Sequence, residues 1–220
     1  MKTKALLIVA LSTTVFALGA KAQDKVTYGV RAGVNFTNLN GKIGGTDIDT
    51  KIKPGFNIGV NAEIPIAPDF YVQPGVLFTT KGAKEKQGDA KINVSYVEVP
   101  INLLYKPTLG NGKLLLGFGP YIGFGIGGKI KGGGSDIDIK FKNDLSTQEA
   151  LDQSNGKVWY QKGLDFGGNL LAGYELSSKI SVQLNAQLGM SNLYPKVGGN
   201  KPDNTKMKNT GFGVSVGYRF

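Results

Sequence analysis

Apolar and polar residues alternate one by one along eight stretches of this chain. In the first, Val26, Tyr28, Val30, Ala32, Val34 and Phe36 alternate with Thr27, Gly29, Arg31, Gly33, Asn35 and Thr37. The same two-residue period recurs at 56–64, 70–79, 96–105, 114–126, 164–175, 180–190 and 211–220. A period of two places every second side chain on one face of a β-strand. One face of each segment is continuously apolar; the other carries Gly, Asn, Gln, Ser and a few charges. Even the long uncharged run LLLGFGPYIGFGIGG (114–128) keeps this period, so it reads as strand and not as a spanning helix.

A soluble β-sandwich also alternates. The spacing between segments separates the two cases. Short breaks, 65–69, 106–113 and 176–179, follow the second, fourth and sixth segments. Long polar breaks, 39–53, 81–91, 129–162 and 193–208, follow the first, third, fifth and seventh. Short turns alternating with long loops mark a transmembrane barrel with tight periplasmic turns and longer extracellular loops. Each segment is near the roughly 9–11 residues that a tilted spanning strand needs. Aromatic residues sort to the segment ends on the apolar face. Tyr28, Phe70, Tyr105, Tyr174, Tyr218 and Phe220 lie towards the short turns. Phe36, Phe56, Phe78, Phe124, Phe166 and Phe212 lie towards the long loops. Two girdles on one face are expected of a lipid-facing wall.

Composition narrows the chemistry. The 220 residues include 33 Gly, no Cys and no His. Thiolate chemistry, disulfides and the usual general base are therefore missing. Residues 1–22 have the form of a cleaved secretory signal: Lys2 and Lys4, an uncharged stretch Ala5 to Leu18, then Ala20-Lys21-Ala22. Its removal would take three Lys from the formal charge of +10, leaving +7 over residues 23–220. A secreted chain without cysteine fits a bacterial envelope better than a disulfide-rich module.

The stretches GVRAGVNFTNLNG, YVEVPINLLYKP, GFGPYIGFGIGGK and GFGVSVGYRF together resemble the outer-membrane β-barrel family common in Bacteroidetes, which includes PorT-like proteins. The resemblance covers residues 23–220. It implies the fold and an outer-membrane address, and leaves the activity open. It also implies that the closing strand, with Tyr218 and Phe220, resembles the signal read by the barrel-assembly machinery.

Several features invite a chemical reading. GFGIGGK (123–129) has the spacing of a phosphate loop, but Ile130 stands where Ser or Thr is needed, and its glycines alternate on a strand. Small residues on an inner wall leave room for large ones facing them. The two arginines, Arg31 and Arg219, fall on the inward face, as do Glu63, Glu98, Asp165 and Glu175. Such a set forms either a salt-bridge plug or an ion or substrate path; eight strands leave room only for side chains, which favours the plug. Asp47, Asp49, Asp136 and Asp138, in the related segments GGTDIDTKIK and GGSDIDIKFK, offer oxygen ligands for Ca²⁺. The simpler reading is strands continuing above the membrane, with Ile48 and Ile52 pairing with Ile137, Ile139 and Phe141. Ser146 and Glu149 form a capping box for a short helix. Loop lysines face outward, either as a soluble surface or towards anionic lipopolysaccharide.

The expected molecule is all-β: an eight-stranded antiparallel transmembrane β-barrel with a filled lumen. No catalytic residue, cofactor or metal site is assigned, and no motif points to nucleic acid. The expected role is non-enzymatic, either structural or in surface interaction. A component of a secretion apparatus and a small-solute channel are the alternatives. Expected partners are outer-membrane lipids, lipopolysaccharide, the barrel-assembly machinery and other envelope or secretion proteins.

Overall fold

The computed structural model describes residues 25–86, 88–132 and 136–220. The expected signal segment lies outside them. Eight long strands form the wall: β1 Thr27–Ile43, β2 Lys53–Ala67, β3 Phe70–Glu85, β4 Lys91–Tyr105, β5 Gly112–Lys131, β6 Leu164–Leu176, β7 Ile180–Gly189 and β8 Lys206–Arg219. Each pairs antiparallel with the next. β1 also pairs with β8, from Gly29↔Arg219 to Lys42↔Lys206, and closes the sheet into a barrel. Closure gives each of the eight wall strands a partner on both sides, a requirement for backbone in hydrocarbon. The chain end is held in this ladder: the Phe220 amide donates to the Tyr28 carbonyl at 2.8 Å, and that of Arg219 to Lys179 at 3.0 Å.

Polarity is inverted relative to a soluble protein. Leu184, Leu188, Val216, Phe118, Leu170 and Ile126 are more than half exposed on the outer wall. Asn102, Gln73, Asn169, Gln183 and Ser215 are buried inside. An exposed apolar surface that wraps a closed wall requires an apolar solvent. Among the described residues, no helix is long and apolar enough to cross a membrane. The girdle aromatics meet one another, across strands and along the last one. Phe36 and Phe212 stack at 5.4 Å, Phe70 and Tyr105 at 4.8 Å, and Tyr218 meets Phe220 edge-on at 5.4 Å.

The three tight turns each reverse through a left-handed residue: Asp69 (φ 61°), Gly110 (φ 60°) and Lys179 (φ 65°). On the opposite side the strands run further than the alternation alone marked. β3 reaches Glu85 and β4 begins at Lys91, so the expected 81–91 loop contracts to 86–90. The cause is visible in the pairing, since Lys81↔Val94 to Lys84↔Lys91 continue the hairpin ladder above the girdle. The two Asp-Ile-Asp segments also extend the barrel without pairing with each other. Thr46–Asp47 adds to β1 and Thr50–Lys51 to β3. Ile137–Phe141 adds to β5 and runs parallel to Trp159–Gln161.

The wall is closest where glycines face in. A Cβ on Gly119 would lie 1.9 Å from the Ile101 carbonyl oxygen across the β4–β5 pair, whereas nothing lies within 4 Å of one on Gly127. Gly119→Ala is therefore expected to cost about 1–3 kcal/mol through forced backbone displacement. Gly127→Ala should be nearly silent. Urea unfolding of both variants in detergent checks this, and equal midpoints would contradict it.

Candidate lumen charge site and loop platform

The barrel interior is stacked in layers fixed by strand register. At the turn end, Glu63 (β2), Glu175 (β6), Arg219 (β8) and Lys106, just past β4, converge. Lys106 Nζ donates to Glu63 and to Glu175, each at 2.8 Å. Arg219 Nη2 donates to the other Glu63 oxygen at 2.5 Å. Two cations and two carboxylates make this cluster neutral. Above it Leu104, Leu115 and Leu171 pack together against Tyr71. An amide ladder spans this apolar layer: Gln73 donates to Glu63 at 3.3 Å, Asn102 to Gln73 at 3.4 Å, and Asn169 to Asn102 at 2.9 Å.

The second cluster sits higher. Lys81, 2% exposed, pairs with Glu98 and, at 3.3 Å, with Asp165. Its ammonium also lies 4.4 Å from the Tyr121 ring centroid and 5.6 Å from that of Tyr96. Such cation–π contacts strengthen when desolvated. Asp165 further accepts from Ser191 at 2.9 Å, Asn209 at 2.9 Å and Tyr121 at 3.3 Å. Gln187 donates to Glu98 at 3.2 Å. Arg31 has no carboxylate within ion-pair distance among the described residues. It lines with Glu98 a small cavity of about 30 Å³, also bounded by Thr79 and Asn169. That is about the volume of one liquid water molecule. With Arg31 counted, this level too balances two cations against two carboxylates.

All six charged residues singled out in the sequence thus project inward, but in two groups joined by neutral amides. Lys81 and Lys106 were missed because both fell in segments assigned to breaks between strands. Parity held the signal: Lys81 continues the inward series Gln73, Leu77, Thr79 along β3.

The loop end has its own core. Leu39, Ala83, Leu193 and Met207 bury one another, with Ile48, Trp159 and Tyr194 packed around them. A neighbouring group joins Val94, Tyr96 and Ile139, with Phe141 and Trp159 alongside. Here helix α1, Thr147–Ser154, begins at the Ser146 cap, with the reciprocal bonds of a capping box. Lys142 donates to both Glu149 oxygens, at 2.6 and 2.7 Å. These bonds, with the Ser146 amide, hold the Glu149 carboxyl below its ordinary range. A parallel bridge between Asp144–Leu145 and Lys196–Val197 ties the third long loop to the fourth. The Ca²⁺ candidates are spread apart: Asp47 pairs with Lys42, Asp49 with Lys86 and Asp138 with Lys129. Among the described residues, no three carboxylates gather as a metal site. Tyr218 and Phe220 lie on the outer wall at the turn end, Phe220 being 62% exposed.

No curated relative matches the sequence. Two of the solved structures similar to this chain illustrate the likeness. One is Ail, the attachment invasion locus protein of Yersinia pestis, solved in complex with the heparin analogue sucrose octasulfate. It is 14% identical with a TM-score of 0.43, over 90% of this chain and 100% of that one. The other is Neisserial surface protein A (NspA), 13% identical with a TM-score of 0.45, over the same shares. The sequence matches the outer membrane protein beta-barrel domain across residues 7–220. With that match added to the closed, inverted wall, the chain belongs to the outer membrane protein beta-barrel domain family and is a protein of the bacterial outer membrane.

Proposed function

We propose that this protein is a non-enzymatic outer-membrane anchor that presents a rigid surface outside the cell for contact with a partner. The observation that carries this reading is the second core above the outer girdle, built around Leu39, Ala83, Leu193 and Met207. Loops that only connect strands do not need a packed core, a capped helix and a bridge between loops. The lumen supports the same reading. Its carboxylates are tied to buried cations, and the sequence has no His or Cys to serve as base or nucleophile.

The test is photo-crosslinking in cells from two exposed positions at opposite ends. Leu151, 50% exposed on α1, reports the outside; Leu109, 55% exposed in the second tight turn, reports the periplasm. Discrete adducts from Leu151 and none from Leu109 are expected. Adducts from Leu109 to secretion components, with none from Leu151, would overturn the surface role in favour of a PorT-like part of a secretion apparatus.

A further inference from the structure

One pocket of about 620 Å³ on the outside of the barrel is not used by this reading. It opens where β7 ends, at Gly189, while β6 and β8 flank it on either side. Its lower part is apolar: Leu164, Phe166 and Met190, all exposed on the outer wall. Its upper part is cationic: Lys162, Lys201, Lys206 and Lys208.

The vertical order follows from strand parity. Lys162, Leu164 and Phe166 share the outward series at the start of β6. Lys206 and Lys208 share that of β8 with the girdle residue Phe212. At about 3.3 Å per residue, Lys208 lies roughly 13 Å further along its strand than Phe212, at headgroup level. The lysines are also uncompensated. Among the described residues none of the four has an ion pair, and Asp203 is the single carboxylate in the lining. Partial burial, with Lys201 and Lys196 close by, holds the Lys162 ammonium below its ordinary range. A dianion would relieve that crowding.

We propose that this pocket binds a phosphorylated glycolipid of the outer leaflet, its phosphate among the four lysines and an acyl chain along Leu164, Phe166 and Met190. A soluble anion would use only the upper half, and an uncharged lipid only the lower. The proposal stands independently of the surface role above, since it concerns the lipid boundary and not the loop crown.

The test uses the purified full-length barrel in detergent, with diphosphoryl lipid A as probe and native mass spectrometry as readout. The variant Lys162→Gln/Lys201→Gln/Lys206→Gln/Lys208→Gln should retain at least tenfold less lipid. A control with the same charge change elsewhere at the loop end, Lys51→Gln/Lys84→Gln/Lys131→Gln/Lys140→Gln, should retain it as the parent does. The paired variants Lys162→Gln/Lys201→Gln and Lys206→Gln/Lys208→Gln should each fall between, which keeps the result readable if the fourfold variant folds poorly. Equal loss in the control would reduce the effect to general charge attraction and overturn the site. So would equal retention of the dephosphorylated lipid, or displacement of the lipid by millimolar inorganic phosphate.

Discussion

Replacing Lys81 by methionine is expected to be the most damaging single change to the barrel interior. Lys81 is the cation between Glu98 and Asp165, and all three are at most 3% exposed. Methionine keeps the length of the side chain but leaves two carboxylates facing each other with only Arg31 nearby. Removing one partner of a buried ion pair costs about 3–5 kcal/mol, because the remaining charge stays desolvated. The measurement is the urea midpoint of the refolded protein, followed by electrophoretic mobility of folded and unfolded forms. Adding Glu98→Gln and Asp165→Asn should recover much of the loss. A Lys81→Met barrel as stable as the parent would show that the cluster does not hold the lumen together.

The second large effect is expected at the turn end, and it ranks two cations. Lys106 bridges Glu63 and Glu175, whereas among the described residues Arg219 pairs with Glu63 alone, and its Nε and Nη1 have no hydrogen-bond partner. Lys106→Leu strips Glu175 of its partner and leaves Glu63 with Arg219. Arg219→Leu leaves both carboxylates on Lys106. The lysine change should therefore cost about 3–5 kcal/mol and the arginine change distinctly less. The double variant should lose more than the sum, since each cation covers Glu63 when the other is gone. Unfolding of the two single variants and the double variant in the same detergent checks the order. An arginine variant weaker than the lysine variant, or strictly additive losses, would contradict it.

Much of this fold was legible in the sequence because a membrane wall writes its two environments onto alternate residues. Val30, Ala32 and Val34 face lipid, Arg31, Gly33 and Asn35 face the lumen, and no longer-range information is needed to tell them apart. The tight turns were legible for a related reason, as Pro, Gly and Asp interrupt the alternation at 65–69 and 106–113. The loop end was harder. Outside the membrane both faces of a strand can be polar, so the period fades although the ladder continues, as it does from Lys81 to Lys84. Ile48 and Ile139 looked alike in sequence, yet they join different apolar groups, because each segment pairs with its own barrel strand. The lumen carboxylates could be read from parity alone. So could Arg31 and Arg219, and Lys81 carried the same parity inside a stretch assigned to a loop; Lys106 lies past the last residue of β4, where the folded turn points it inward.

A filled lumen joins these observations: two neutral charge clusters, a leucine layer and an amide ladder occupy the space that a pore would need. Single-channel recording of the refolded protein in planar bilayers tests it most directly. The packing predicts no stable current steps in moderate salt, the mid-lumen cavity beside Arg31 and Glu98 being near 30 Å³. Reproducible steps of uniform size, lost when Gly123 and Gly125 beside Glu98 and Phe141 are enlarged to leucine, would show a continuous water path and contradict the plug.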